Sequence, residues 1–237
     1  MPTITSTDNQ QLKLIRRLAR RQARARENLF VAEGEDLVSA AHAAGRPARA
    51  LLWAAPAPRE DCIEVDPALL AAVSTLGSGT RAIGVYEQRW AVRPKGPLCV
   101  YLHGVRDPGN VGTIIRSAQA FGASCVAFGP DCADPHGPKA VRASMGAIFA
   151  ATLARAPSLD ALPGERVGLH AAAQEHLHGP ASRPTTLLVG AEREGLPVEL
   201  LASCARVCSI PQAAGDSLNA AMAATIALYE MARVEIA

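Results

Sequence analysis

The chain has 237 residues, of which 49% are hydrophobic and 19% are charged, so it has enough apolar side chains for a real core. This length suits one large or two modest domains. The net charge of +2 is unevenly distributed: residues 1–97 carry 14 basic and 10 acidic side chains, whereas residues 98–237 carry 10 and 12. The positive excess in the first part indicates an anionic partner there.

Several classes of protein are excluded by the sequence. The first residues are polar and lack the apolar core of a secretory signal peptide. No apolar run approaches the roughly 20 residues of a membrane span. The six cysteines are scattered without a C-x-x-C pair, which predicts reduced thiols and no zinc site. We therefore expect a cytoplasmic protein that binds no metal and contacts no membrane.

A basic helix is predicted near the start of the chain. Thr7 and Gln10 fit a capping box, and from there to about residue 26 the apolar side chains recur on one helical face. Residues 11–26 hold seven basic side chains and no acidic one. Such a run could be an ordinary solvated face, but so many like charges repel one another unless an anion is close, which favours nucleic acid. The candidate nucleic-acid contacts are Arg16, Arg17, Arg20 and Arg21.

Short alternating elements follow the basic helix and predict a small α/β domain. The predicted strands are 29–32, 48–54 and 82–86, and the predicted helices between them are 35–44 and 67–73. A segment with two prolines and a glycine then reads as a linker. The predicted division is a first domain over 1–92, a linker over 93–97 and a second domain over 98–237.

The second predicted domain contains mostly unalternated apolar strands, which are typical of a parallel sheet covered on both faces. The predicted strands are 98–104, 124–129, 150–154, 167–172, 186–191 and 206–210. The predicted helices are 111–121, 138–146, 197–203 and 217–234. Glycine-rich or polar turns follow three of these strands, at the position where open α/β sheets bind ligands.

These three turns carry motifs in a recognisable order. They read Asp107-Pro-Gly-Asn110-Val-Gly-Thr-Ile-Ile-Arg116, then Gly190-Ala-Glu192-Arg-Glu-Gly195-Leu, then Ile210-Pro211 followed by Ser217-Leu-Asn219. The set closely resembles the three motifs of the SpoU (TrmH) family of RNA ribose 2′-O-methyltransferases, within the SPOUT superfamily. The N-terminal part also resembles the substrate-binding domain that many members carry.

The resemblance implies a fold, a cofactor and partners. The expected fold is α/β: a SPOUT domain with a parallel sheet and a deep C-terminal trefoil knot, preceded by a small α/β domain like ribosomal protein L30e. The expected cofactor is S-adenosylmethionine, bound in a bent form against the knotted loops. The expected partners are RNA, with ribosomal RNA favoured over transfer RNA, and a second copy of the chain, since a homodimer completes the site.

The resemblance also implies roles for individual residues. The positions matched to catalysis are Asn110, Arg116, Glu192, Ser217 and Asn219, and those matched to the cofactor are Gly190, Ile210 and Leu218. We assign Arg116 first to phosphate or ribose binding and to lowering the pKa of the hydroxyl, because a guanidinium with a pKa above ~12 is a poor general base. Proton abstraction by Arg116 itself is the second choice. Asn110 is expected to orient Arg116 or the substrate by side-chain hydrogen bonds.

Simpler interpretations of the same residues stay open. Asn110 and Ser217 could each cap a helix, Glu192 could be an exposed loop acid, and Ile210 and Leu218 could be core residues. This sequence departs from the family pattern at two places. Arg193 stands where family members often have glycine, and the run Ala220-Ala-Met222 lacks the second serine that often follows Ser-Leu-Asn.

Two rival hypotheses for the function are a catalytically inactive RNA-binding member of the family and a Rossmann oxidoreductase. The sequence lacks the G-x-G-x-x-G that the second would require.

Overall fold

The computed structural model describes residues 3–58, 61–76, 79–213 and 218–233. In chain order the helices are α1 (Gln10–Leu18), α2 (Arg21–Glu27), α3 (Glu35–Ala43), α4 (Pro67–Val73), α5 (Pro108–Ala120), α6 (Pro138–Ala143), α7 (Ala147–Ala150), α8 (Val198–Ala202) and α9 (Ala220–Ala232). The strands are β1 (Leu29–Glu33), β2 (Ala50–Ala54), β3 (Ile63–Val65), β4 (Ala82–Glu87), β5 (Leu98–Leu102), β6 (Cys125–Phe128), β7 (Leu153–Arg155), β8 (Glu165–Leu169), β9 (Glu175–His176), β10 (Thr185–Val189) and β11 (Arg206–Ser209). No helix in these ranges is long and apolar enough to cross a bilayer.

The chain divides into two compact units. The first contains residues 1–88 and 134–149, and the second contains residues 89–133 and 150–237. This grouping differs from the division predicted from the sequence, which kept 98–237 together. The difference arises because 134–149 belongs to the first unit, and because the second unit already begins at residue 89, where Ala91 pairs with Ala154 of β7.

The first unit is a four-stranded sheet in the order β1-β4-β2-β3 with helices on both faces. One face packs against α1 and α4 in a cluster that includes Leu12, Ile15 and Leu70. The other face carries α3, whose Val38 joins Leu51 and further apolar residues of β2. The strand β3 was not predicted, since three residues are too few to show a period.

The structure has two helices, α1 and α2, where the sequence predicts one basic helix. The backbone of Arg20 is extended, with ψ of 132°, which separates α1 from α2. The predicted capping box is wrong, because the side chain of Asn9 accepts from Gln11 N at 2.8 Å and caps α1.

One arginine of this pair of helices is structural. Arg24 is 5% exposed, and its Nε and Nη2 lie 2.9 and 2.7 Å from Asp134 Oδ2. Its Nη1 donates to the carbonyls of Leu18 and Ala19 at the break between α1 and α2. A single buried guanidinium thus closes the helix break and holds the start of the 134–149 segment.

The second unit is a seven-stranded sheet in the order β7-β6-β5-β10-β8-β11-β9, and every pairing is parallel, as predicted. The central strands β5 and β10 are buried along their whole length, so both faces are covered. Side by side, α5 and α9 are joined by a 2.6 Å hydrogen bond between the hydroxyls of Ser117 and Thr225. The carboxyl ends of the parallel strands therefore meet at one edge of the sheet, where the three motif turns lie.

Candidate active site

The first motif turn is shaped by a cap. Asp107 Oδ1 accepts from the backbone N–H of Gly109 at 2.6 Å and of Asn110 at 3.0 Å, and Pro108 occupies the first helical position. As a result α5 begins at Pro108, three residues earlier than predicted. Asn110 lies inside the first turn and is not the cap, so the interpretation of Asn110 as a capping residue is wrong.

The side chain of Asn110 joins the three motifs. Its Nδ2 donates to Glu192 Oε1 at 2.8 Å, and its Oδ1 accepts from Asn219 Nδ2 at 3.1 Å. The Oδ1 of Asn219 in turn accepts from Ala221 N at 2.9 Å and Met222 N at 3.3 Å, which caps α9. Because a helix cap requires the oxygen of Asn219 to face the helix, its amide nitrogen must face Asn110. One residue from each motif is thereby fixed in orientation.

Arg116 lies apart from this hydrogen-bonded chain. It follows Asn110 by six residues on α5, which places it roughly 9 Å further along the helix axis and about 240° around it. The side chain is exposed and makes no hydrogen bond or ion pair with any described residue. Within one chain, then, Asn110 orients Glu192 and Asn219, not Arg116.

A cavity of about 210 Å³ opens beside the second and third motifs. Its lining includes Gly190, Ile210 and Leu218, the three positions matched to the cofactor. Ile210 and Leu218 are only partly buried, so they are not part of the closed core. The rest of the lining includes apolar side chains such as Val189, the charged loop of the second motif, and the chain just beyond the end of β8.

The second motif forms a closed loop. Ala191 and Gly195 exchange two backbone hydrogen bonds of 3.2 and 3.0 Å, and Gly195 has a positive φ of 68°, which favours glycine. A side chain at position 190 would collide with the backbone of Gly195. The loop itself thus explains both glycines. Arg193, the departure from the family pattern, is exposed at the tip of the loop.

Other cavity residues were missed by the sequence analysis. His170 follows β8 and Gln212 follows β11, and both line the cavity together with Arg193 and Glu194. The position of His170 and Gln212 after parallel strands was the available signal, but neither is a motif position.

His103 also follows a strand at this edge, immediately beyond β5. Its Nδ1 lies 3.3 Å from the hydroxyl of Tyr101. Burial lowers the pKa of His103 and raises the pKa of Tyr101 to about 12. At neutral pH both side chains are therefore uncharged.

The remaining predicted residues are placed as follows. Ser217 lies outside the described residues. The residue that caps the N-terminus of α9 is Asn219. In the first unit Arg16, Arg17, Arg20 and Arg21 are all exposed, and Arg16 Nη1 donates to the carbonyl of Thr7 at 3.1 Å. Across the described ranges, no group of three or more His, Cys, Asp or Glu side chains is arranged to hold a metal ion.

Two family models match this chain. Residues 97–229 match the SpoU rRNA Methylase family, and residues 9–84 match the MRM3-like substrate binding domain.

Two solved structures resemble the whole chain. An AdoMet-bound rRNA methyltransferase from Sinorhizobium meliloti is 34% identical, with a TM-score of 0.83 over 97% of each chain. The SpoU methyltransferase AviRb from Streptomyces viridochromogenes, solved in complex with AdoMet, is 28% identical, with a TM-score of 0.81 over 94% of this chain and 97% of its own. Among curated relatives, the 23S rRNA (guanosine(2553)-2′-O)-methyltransferase RlmP of Bacillus subtilis is 29% identical over 98% of this chain and 99% of its own. The chain belongs to the SpoU rRNA Methylase family.

Proposed function

We propose that this protein transfers a methyl group from S-adenosylmethionine to a ribose 2′-hydroxyl of RNA, with ribosomal RNA favoured over transfer RNA. The observation that carries the proposal is the hydrogen-bonded chain Glu192–Asn110–Asn219 beside a cavity lined by Gly190 and Ile210. The relatives named as rRNA methyltransferases support the choice of substrate. A protein that acts on ribosomal RNA would work in the cytoplasm.

The lining of the cavity fits the cofactor. Val189, Ile210 and Leu218 offer apolar contact for a flat base. The charged loop tip with Arg193 and Glu194 offers opposite charges for the carboxylate and ammonium of an amino acid. When bound there, S-adenosylmethionine supplies an electrophilic methyl group on a sulfonium centre.

The residues of this chain would position the ribose and its proton. Asn110, Glu192 and Asn219 hold one another in fixed orientations, so the edge of the cavity is preorganised before RNA binds. Ser217, adjacent to Leu218, is proposed to lie close to the reacting ribose. Arg116 is proposed to bind a phosphate or the ribose, and its positive charge would stabilise the hydroxyl as it loses its proton.

A second copy of the chain is proposed to complete the site. The outer side of α9 exposes Met222, Ile226 and Tyr229, whose side chains are 56%, 39% and 53% exposed. Their spacing of four and three residues places them on one helical face. An apolar stripe of this kind marks an interaction surface. Pairing through α9 would also bring the exposed Arg116 of the adjacent helix α5 towards the interface.

Two finer features of the fold are also proposals. After β10 the chain crosses back beyond β8 to form β11, and α9 then returns to pack on α5. This return supports the deep trefoil knot implied by the family resemblance, an exception to the rule against threaded loops. The sheet of the first unit, with helices on both faces, supports an RNA-binding domain of the L30e-like type.

Two measurements test the proposed function. Calorimetry with S-adenosylmethionine should show saturable binding, and its absence at millimolar cofactor would contradict the proposal in favour of an inactive RNA-binding member. Ribose-methylation mapping of total RNA, with and without the gene, should show one ribosomal 2′-O-methyl site lost. Restoration by wild type and not by Arg116→Ala would assign that site to the enzyme. A lost site in transfer RNA would instead favour the alternative substrate.

A further inference from the structure

The first unit contains a cleft separate from the cavity described above. It has a volume of about 440 Å³, within the range of about 300–1,000 Å³ usual for ligand sites. We call it the basic cleft, defined by His42, Arg46 and Arg49 in its lining. All of its residues belong to the first unit, between α3, β2 and the start of β3, and none is assigned by the family motifs.

The basic cleft combines two kinds of surface. Val38 and Leu51 supply an apolar wall, and Tyr86 lies at its base with 2% of its surface exposed. The described lining carries three basic side chains and the single carboxylate of Asp61. An apolar wall beside basic groups matches a nucleotide, which has an apolar base and an anionic phosphate.

One basic group of the cleft is held in place by the fold. Arg46 Nη2 donates to the carbonyl of Glu87 at 2.8 Å, and Nη1 donates to the carbonyl of Phe149 at 3.2 Å. A guanidinium fixed in this way loses little side-chain entropy when it meets a phosphate. Arg49 and His42 are exposed and stand beside it, on the 44–49 turn and the last turn of α3.

We propose that the basic cleft binds one unpaired nucleotide of the RNA substrate. Arg46 and Arg49 contact its phosphate, the base packs against Val38 and Leu51, and the carboxylate of Asp61 accepts from an amino group of the base. The inference rests on the proposed function, because it takes RNA as the ligand. It gives the first unit a site that selects single-stranded RNA, in addition to the arginines of α1 and α2 that would contact phosphates of any sequence.

The test compares Arg49→Glu with Arg81→Glu. Both change the same charge at an exposed position of the first unit, and Arg81 does not line the cleft. The probes are a short fluorescein-labelled single-stranded RNA and a duplex of the same length, followed by anisotropy. Arg49→Glu should weaken single-strand binding about tenfold and duplex binding much less, whereas Arg81→Glu should affect both slightly and equally. Equal losses with Arg49→Glu, or no loss, would overturn the proposal.

A local readout is available in the same unit. Trp53 packs with Val38 and Leu51, and the chain has one other tryptophan, Trp90. In a Trp90→Phe variant, the fluorescence of Trp53 should change on addition of the single-stranded RNA. In the double variant Trp90→Phe/Arg49→Glu, the same change should require about tenfold more RNA. An unchanged signal in both forms contradicts occupancy of the cleft.

Two further outcomes separate this inference from the proposed function. If the wild-type protein methylates ribosomal RNA but Arg49→Glu binds single-stranded RNA as tightly as wild type, the nucleotide site in the basic cleft is wrong. The proposed function is then unaffected. Wild-type protein that binds neither RNA nor S-adenosylmethionine would overturn both. If the cleft binds a free nucleoside monophosphate tightly and Arg49→Glu leaves RNA binding unaffected, the cleft is a small-molecule site. That result would contradict the proposal.

Discussion

The polar residues of the second unit's three turns are hydrogen-bonded to one another, whereas the basic residues of α1 and α2 mostly project into solvent. Asn110 is fixed by Glu192 and Asn219, while Arg17 and Arg20 are exposed. The contrast follows from what each region is proposed to do. Group transfer requires a fixed geometry, but attraction of a phosphate backbone requires only charge in the right area. Arg24 departs from the pattern because it is buried and ion-paired.

The largest expected loss of activity comes from substitution of Arg116, which lies outside the hydrogen-bonded chain Glu192–Asn110–Asn219. Arg116→Ala should reduce methyl transfer about 1,000-fold, or about 4 kcal/mol of transition-state stabilisation, because its charge is proposed to act on the ribose hydroxyl. Cofactor affinity by calorimetry should stay within twofold of wild type, roughly 0.4 kcal/mol. The control is Arg183→Ala, an exposed arginine of the second unit that pairs with Glu165. Equal losses of cofactor binding and transfer would show that the assigned role is wrong.

The next effect sharpens the contrast between Arg24 and its exposed neighbours. Arg24→Met leaves Asp134 without its guanidinium partner, so the free energy of unfolding should fall by about 3 kcal/mol. Arg20→Met, at an exposed position beside the same helix break, should change it by less than about 0.5 kcal/mol. Urea denaturation measures both. The double variant Arg24→Met/Asp134→Asn should recover part of the loss, and similar midpoints for the two single variants would contradict a structural role for Arg24.

A somewhat smaller effect is expected when the network itself is broken. Asn110→Ala removes both hydrogen bonds and should lower kcat about 100-fold, or about 2.7 kcal/mol, with little change in unfolding midpoint because Asp107 still caps α5. Asn110→Asp should be worse, since it places a second carboxylate beside Glu192. Gln119→Ala, exposed on the same helix, is the matched control. Near wild-type kcat for Asn110→Ala would mean that the network is only structural.

The smallest expected effect concerns the exposed basic face. Changing Arg16, Arg17, Arg20 and Arg21 together to Gln should weaken RNA binding about tenfold at low salt and flatten its salt dependence, because fewer counterions are released. The affinity for S-adenosylmethionine should be unchanged. Anisotropy over a salt series provides the measurement. A salt slope identical to that of wild type would identify these arginines as an ordinary solvated face.

Local sequence pattern predicted much of the second unit. The apolar runs located β5, β6, β10 and β11 to within a few residues, because a buried parallel strand is apolar along its whole length. The same turns supplied the residues of the hydrogen-bonded network. The short strands β3 and β9 were missed, since two or three residues carry no measurable period.

The sequence by itself determined the order of the longer strands and helices, because these depend on residue types a few positions apart. Its resemblance to the family motifs also pointed to Asn110 and Glu192 as residues of a site. Tertiary structure alone decided which atoms meet. Asn110 contacts residues 82 and 109 positions away, and Arg24 finds Asp134 at a separation of 110. The ion pair between Arg24 and Asp134 connects the segment 134–149 to the rest of the first unit. It also distinguishes Arg24, which is buried, from the six other basic residues of 11–26. No local period encodes such contacts, since they depend on how distant segments pack against one another.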